Sequence, residues 1–260
     1  MSIFDGVQID STYPSLPCLA MSDESYAEVV RAIQAAERIC ITTHLNPDGD
    51  GIGAGLALLI ALRAAGKQVR FICPSTIAGI YDFLPHFAEI VVCDSEAAVT
   101  DLGNVGTLIS CDCGDRARLG VVASAERDCL INLDHHASND RFGDINLVDI
   151  KAESTGVVVE SVLRGLGFGL NKPIATCLYT TIVFDTGRFM HSNTTAHTFR
   201  WTANLLDTGI DAAEINRKLT YTRTAHDLAV QRLALDYLII DSDDQRIAGI
   251  ALSKEDIERV

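Results

Sequence analysis

The amino-acid sequence predicts an α/β fold: a parallel sheet with helices on both faces, followed by a helical part and the start of a smaller α/β domain. Through the first half, short β-branched runs alternate with longer helical patterns, the signature of β-α-β units. The strand-like runs are continuously apolar, as strands covered on both faces are. From about residue 154 the apolar positions recur at three-to-four spacing and the chain turns helical. With 260 residues, 48% hydrophobic and 22% charged, the chain is long enough for one large core. Its composition excludes a disordered chain, a collagen-like chain and a disulfide mini-protein.

Residues 1–21 carry two prolines, several serines and little periodicity, and are expected to form a loose tail. An amphipathic pattern over 25–37 predicts a first helix, with Ser22 or Asp23 as its N-cap. Segment 38–43 reads as a strand, 51–65 as a helix closed by Gly66, and 68–73 as the next strand. Further strands are expected at 89–93, 107–111, 129–133 and 145–148, and helices at 154–164, 174–184, 195–206, 212–219 and 224–238. A polar turn from Asp241 leads into a strand-like 246–252 and a capping signature at Ser253-Lys-Glu-Asp-Ile.

Twenty-one Lys and Arg against 35 Asp and Glu leave a formal charge of −14, which argues against holding long duplex nucleic acid on a basic face. An acidic chain still binds phosphate where metal cations supply the positive field. The eight cysteines include no C-x-x-C pair and mostly sit in apolar runs, so they are read as reduced core residues of a cytoplasmic protein. No basic segment leads into an apolar signal core and no apolar run reaches about 18 residues, so neither secretion nor a membrane partner is expected.

Chemistry concentrates at four segment ends. In His44-Leu-Asn-Pro-Asp48-Gly-Asp50 a histidine and two aspartates occupy a turn between a strand and a helix, the carboxyl edge where parallel sheets bind ligands. An Asp N-cap there would account for Asp50 but leave His44 and Asp48 without a role. A second strand ends at Asp112, with Cys111 and Cys113 alternating onto the opposite face. Asp115 then reads as a cap. A third strand ends in Asp134-His135-His136. The fourth segment places Asp185 at the C-terminus of an apolar helix before Gly187, where the helix dipole disfavours a carboxylate. One divalent-ion cluster accounts for all four. Imidazole and carboxylate donors without thiolate suit Mn²⁺, or Mg²⁺, better than structural Zn²⁺. The candidate ligands are His44, Asp48, Asp50, Asp112, His135 and Asp185; their four carboxylates balance two dications, the apparatus of phosphoryl displacement. Arg188 and Arg116 are candidates for holding a substrate phosphate, Arg188 the better placed.

These segments resemble motifs I to IV of the DHH phosphoesterase family, named for a triplet like Asp134-His135-His136, over residues 22–260. A first motif of His-x-x-Pro-Asp-x-Asp type resembles the short bacterial oligoribonuclease (nanoRNase) and 3′-phosphoadenosine 5′-phosphate phosphatase members. RecJ-type exonucleases lack that histidine, and the pyrophosphatase branch usually has Thr in place of Gly49. Phe83-Leu84-Pro85, Glu153-Ser154-Thr155-Gly156 and Ser192-Asn193-Thr194-Thr195 extend the resemblance.

The resemblance implies that Asp112 bridges two Mn²⁺ ions, that His44 and Asp48 serve one, and that Asp50, His135 and Asp185 serve the other. It implies that His136 faces the substrate phosphate, with Arg188, Ser154, Thr155 and Asn193 as further substrate contacts. The implied activity is hydrolysis by two-metal hydroxide attack on short oligoribonucleotides, dinucleotides or 3′-phosphoadenosine 5′-phosphate. His136, Asp112 and Arg188 would be its catalytic residues, and a homodimer its candidate assembly. The implied domains are a tail (1–21), a DHH catalytic domain (22–222), a linker helix (223–240) and the beginning of a DHHA1 substrate domain (241–260). That second domain is expected to be truncated, because the Gly-Gly-Gly-His-like segment that holds substrate in the family has no counterpart: the chain contains no Gly-Gly.

Other readings are a cyclic-dinucleotide phosphodiesterase and a non-catalytic nucleotide-binding module, which would be expected to lose at least one of the six ligands. A dinucleotide-dependent oxidoreductase is a third. Gly51-Ile-Gly53-Ala-Gly55 invites it, but the next strand ends without an acidic residue for a ribose. Small residues there fit close helix-on-sheet packing instead. His86, His191, His197 and His226 are expected in plain surface or core roles, and Trp201 in the core.

Overall fold

A computed structural model gives the fold of residues 24–222 and 224–259; the tail expected over 1–21 and the caps expected at Ser22 or Asp23 lie outside these described residues. The chain divides into two compact units, one ending at Asn216 and the other beginning at Arg217.

The first unit is built on six strands: β1 (Arg38–Thr42), β2 (Gln68–Cys73), β3 (Val91–Val92), β4 (Thr107–Cys111), β5 (Cys129–Asp134) and β6 (Ile145–Val148). They form one sheet in the order β3-β2-β1-β4-β5-β6, with every pairing parallel. The order reverses between β1 and β4, which opens a crevice beyond their carboxyl ends. The motifs that follow β1, β4 and β5 therefore meet at one edge. The expected strand at 89–93 shrinks to Val91–Val92, because Phe87–Glu89 forms a 3₁₀ turn.

Helices α1 (Glu24–Ala35), α2 (Gly49–Ala64), α3 (Glu96–Thr100), α4 (Thr155–Gly165), α5 (Lys172–Asp185), α6 (Ala196–Asp207) and α7 (Ala212–Tyr221) complete the order. The two sheet faces have separate cores. Cys40, Leu108 and Leu130 share one row across β1, β4 and β5 and pack with Val99 and Val122. On the other face Ile41 and Phe71 lie side by side against Gly55 of α2. Helix α2 is apolar all round and buried almost throughout, as a helix enclosed by other elements must be. Its cap is Asp48, whose side chain accepts from the N–H groups of Asp50 and Gly51, so the rival reading of Asp50 as the cap does not hold and Asp50 is left to the crevice. The close packing expected of the Gly51-x-Gly53-x-Gly55 series is present. A Cβ on Gly53 would lie 2.6 Å from the Cys177 carbonyl oxygen of α5, and one on Gly55 2.5 Å from the Phe71 ring.

The second unit contains α8 (Ala225–Asp236), an antiparallel pair of short strands, β7 (Ile239–Ile240) and β8 (Ala248–Gly249), and α9 (Lys254–Glu258). Ser253 caps α9 in the expected capping box with Asp256. The strand expected over 246–252 is reduced to two residues, since Asp241 and Asp244 turn the chain by accepting from Asp243, Asp244 and Arg246 N–H groups. The described cysteines are all free, and Trp201 is in the core. Among the described residues no helix is long and apolar enough to cross a membrane.

Replacing Gly53 by Ala sets a methyl against backbone that cannot move without shifting α5. The expected loss is about 1–3 kcal/mol, measured as a lower urea midpoint. Ala at Gly79, where an added Cβ meets nothing within 4 Å, should cost less than about 0.5 kcal/mol. Equal midpoints for the two variants would contradict this packing.

Candidate metal centre

All six ligand candidates converge at the crevice between the ends of β1, β4 and β5. After β1 the chain passes through His44 and a left-handed Asn46 before Pro47 and Asp48 start α2. His44 Nε2 lies 3.6 Å from Asp48 Oδ2 and 3.5 Å from Asp112 Oδ2. Its Nδ1 lies 2.7 Å from the Leu45 carbonyl, which as acceptor leaves Nε2 for a metal. Asp112 stands just past β4 with φ of 59°; its N–H still donates to Leu133 O at 3.0 Å, so the ladder runs on while the side chain is re-aimed.

The second group gathers around His135. Its Nε2 is 2.9 Å from Asp185 Oδ2, 3.6 Å from Asp50 Oδ2 and 3.9 Å from Asp112 Oδ1. Asp50 is fully buried, and its two oxygens accept the N–H groups of Thr155 (2.6 Å) and Gly156 (3.1 Å) at the start of α4. Thr155 Oγ1 donates to Asp112 Oδ1 at 3.1 Å. Asp112 thus turns Oδ2 to the His44 group and Oδ1 to the His135 group. Three sets offer ligand atoms within 4.8 Å of one another: His44, Asp48 and Asp112; Asp50, His135 and Asp185; and Asp112, His135 and His136.

The electrostatics follow from this crowding. Burial disfavours the imidazolium of His44, but the carboxylates of Asp112 and Asp48 outweigh it and push its pKa up to about 9. Burial likewise opposes charge on His135, and Asp185 and then Asp112 overcome it, again to about 9. Asp50 is driven well above the carboxylate range by burial and by the charges of Asp112 and Asp185. Burial raises Asp185 against the pull of His135. In Asp48 burial loses to His44, which holds the carboxyl below its ordinary value.

These residues fit divalent cations. His135 Nε2 is buried, has no hydrogen-bond partner of acceptable geometry, and faces three carboxylates, which is the surrounding of a ligand atom. The donors are imidazole and carboxylate only. Cys111 and Cys113 are buried and burial pushes both thiols up, so neither offers a thiolate, and Cys113 donates to Asp115 O at 3.1 Å.

The remaining expected residues are placed as follows. His136 Nδ1 lies 2.8 Å from Asp134 Oδ1 and 3.6 Å from Asp112 Oδ1. Asp115 caps the 3₁₀ segment Arg116–Ser124, accepting from Arg118 N–H at 3.0 Å. Arg188 is exposed and left-handed (φ 60°) just beyond Asp185. Ser154 is fully buried, with its hydroxyl 3.1 Å from that of Thr181. Asn193 donates to the carbonyls of Glu153 and Asp185 at 3.3 and 3.2 Å.

Sequence reading missed Arg118, whose guanidinium lies 2.8 Å from His44 Nδ1 and brings a positive charge to the rim of the carboxylates. It also missed the pair of Glu153 with His197, 3.0 Å apart, for which a plain role was expected of the histidine. Neither pair has a local signal, since the partners are 74 and 44 residues apart.

Comparison with known proteins bears on the family and the fold. A family model described as "DHH family, N-terminal domain" matches residues 38–182. The Thermus thermophilus bifunctional oligoribonuclease and PAP phosphatase NrnA is 34% identical over 197 residues, 75% of this chain and 57% of that protein. Its Bacillus subtilis namesake is 29% identical over 199 residues, 75% of this chain and 61% of that one. The chain therefore spans less than two thirds of the length of these relatives. Among solved structures, an exopolyphosphatase-related protein from Bacteroides fragilis has the same fold, with a TM-score of 0.80 at 24% identity over 90% of this chain and 71% of that one.

The crowded centre dictates a pH dependence for the metal-free protein. His44 and His135 rise from 6.5 to about 9 on folding, so the stability their protonated forms contribute is complete below about pH 6.5 and is lost as pH climbs through about 9. The raised carboxyls of Asp50 and Asp185 act with the same sign. The Tm in chelator should therefore fall between pH 6.5 and 9.5. Saturating Mn²⁺, which competes with those protons, should raise Tm most at the alkaline end. A Tm in chelator that rises across this window would contradict the arrangement.

Proposed function

This chain belongs to the DHH family, and on that premise we propose that its centre is that of a two-metal phosphoesterase acting on short oligoribonucleotides, dinucleotides or 3′-phosphoadenosine 5′-phosphate. The observation that carries the reading is the placement of Asp112, whose two oxygens face separate ligand groups. In the proposal His44 and Asp48 complete one ion site and Asp50, His135 and Asp185 the other. The relatives named as oligoribonuclease and PAP phosphatase support the choice of substrate class.

When bound, two such cations, Mn²⁺ or Mg²⁺, would supply Lewis acidity at phosphorus and a water acidified toward neutral pH. The chain's own residues do the rest. Asp134 fixes His136 through Nδ1, which leaves Nε2 as the nitrogen to meet a phosphate oxygen. Arg188 offers a guanidinium, suited to bidentate phosphate contact, on the loop that follows Asp185. The hydroxyls of Ser154 and Thr155 are engaged with Thr181 and Asp112, so in this reading both residues serve the ligands from beneath and Asn193 serves the loop.

The test is hydrolysis of a panel comprising a linear diadenylate, 3′-phosphoadenosine 5′-phosphate, a cyclic dinucleotide and bis-p-nitrophenyl phosphate, with Mn²⁺ and with chelator. Turnover of the linear dinucleotide or the bisphosphate that EDTA abolishes and Mn²⁺ restores is expected. Turnover undiminished in chelator, or none of any substrate with Mn²⁺, sinks the proposal. Asp112→Ala should cost more than about a hundredfold, above the 10–100-fold typical of an outer partner, while Asp115→Ala, which removes a cap, should cost less than about tenfold. His136→Ala should lower turnover and leave Mn²⁺ content near that of the parent. A parallel loss of metal would make His136 a ligand instead.

A further inference from the structure

The five residues Ala152 to Gly156, between β6 and the start of α4, touch most of the centre without supplying any of its ligands. The Ala152 carbonyl lies 3.2 Å from His135 Nδ1. As its acceptor it leaves Nε2 free of a proton for a metal. The N–H groups of Thr155 and Gly156 hold Asp50, and the Thr155 hydroxyl holds Asp112. The Glu153 carbonyl shares the Asn193 amide with the carbonyl of Asp185. One short stretch thus orients His135, Asp50 and Asp112 and is tied to the backbone of Asp185.

Glu153 is 3% exposed, and its side chain reaches α6. Its Oε1 accepts from Thr195 Oγ1 at 3.1 Å and Thr198 Oγ1 at 2.8 Å, and both oxygens lie 3.0–3.1 Å from His197 Nδ1. These three donors occupy the cap and first turn of α6, where Thr195 and Thr198 also form the capping box. A buried carboxylate with this many donors is well compensated, and removing it would take that acceptor from the imidazole and from two hydroxyls that are otherwise 3.3 Å from each other.

We propose that Glu153 is the positioning residue of the ion site formed by Asp50, His135 and Asp185: it pins the 152–156 stretch to the start of α6, and through that stretch sets the direction of the ligands. The inference rests on the two-metal reading above. The site of His44 and Asp48 meets the stretch indirectly, through the shared Asp112 and through the Asp50 N–H that donates to Asp48, so the effect should fall mainly on the other ion. Loss of an outer partner of this kind typically lowers metal affinity 10–100-fold.

The experiment is calorimetric titration of the 260-residue chain with Mn²⁺, checked by the paramagnetic signal of free Mn²⁺. The parent should take up two ions. Glu153→Ala should weaken one of them by 10–100-fold and leave the other within about threefold, while Glu153→Gln, which keeps an acceptor oxygen, should recover part of the loss. Should Glu153→Ala fail to fold, the pair Thr195→Val and Thr198→Val removes two of the three donors and should show the same one-sided weakening. Leu62→Ala, at the far end of α2 from Asp50, supplies a core-destabilised control that should leave both affinities unchanged. Two ions bound normally by the Glu153 variants overturns the positioning role and leaves the phosphoesterase reading intact. Equal weakening of both ions, or weakening in Leu62→Ala as well, reduces Glu153 to a general stabiliser and also overturns it. A parent chain that binds no Mn²⁺ overturns both readings.

Discussion

The architecture turns on carboxylates held where water cannot screen them. Asp50 and Asp112 are 0% and 2% exposed, and a buried carboxylate survives only where donors or cations compensate it. The two N–H groups that hold Asp50 come from the first residues of α4, so α4 must start against the first turn of α2. Gly156 leaves the room for this, since a Cβ there would fall 1.9 Å from Thr181 Oγ1 on α5. Helix α2 in turn reaches α5 because Gly53 carries no side chain. The small residues that let three helices pack are therefore the ones that let backbone amides reach a buried charge.

Much of this was legible in the sequence because the signals are local. His44, Asp48 and Asp50 lie within seven residues of one strand-to-helix turn, and Asp112 and the Asp134 triplet each terminate an apolar run. Parallel pairing then brings separate strand ends to one edge without further information. Boundaries were legible to within a few residues where a cap or glycine marks them, as at Gly66 and Ser253. What stayed hidden depends on tertiary distance. Nothing around Glu153 announces that its side chain meets a helix cap more than 40 residues later, and His197 looked ordinary because its only distinction is that partner. Arg118 was masked by Asp115 and Arg116, the more conspicuous neighbours. Which aspartate caps α2 was hidden for a related reason: both have the right chemistry for a cap, and only the third dimension shows that it is Asp48.

Backbone conformation marks the same places. Asp112, Arg188 and Phe189 are left-handed with φ between 59° and 65°, a conformation that costs an L-residue roughly 1–2 kcal/mol and is kept where surroundings enforce it. At Asp112 the enforcement is the ladder bond to Leu133, which fixes the amide while the chain turns. Beyond Asp185 it is a compact knot: Thr186 Oγ1 accepts from Phe189 N–H at 3.0 Å, and the Asp185 carbonyl is 3.1 Å from His191 Nδ1 and 3.2 Å from the Asn193 amide. Asp185 ends a helix whose dipole repels it, so these contacts with its carbonyl relieve the terminus and leave the carboxylate to the crevice.

The triplet at the end of β5 shows how adjacent residues are given different work by their partners. Asp134 closes the strand, is fully buried and belongs to none of the ligand groups; its oxygens take His136 Nδ1 at 2.8 Å and the Asn139 amide at 2.5 Å. His135 instead gives Nδ1 to the Ala152 carbonyl. Both rings are thus left with Nε2 as the working nitrogen, yet their exposure differs, 14% for the His135 side chain against 40% for His136. A nitrogen ringed by buried carboxylates meets the requirement of a metal ligand, while one at the open side meets that of a phosphate donor. Asp134 holds His136 and the Ala152 carbonyl holds His135, so each ring has its own anchor, while the two rings meet edge to face with centroids 4.6 Å apart. In the proposed reading, these separate anchors are what would let two neighbouring histidines point one nitrogen at a metal and the other at a substrate.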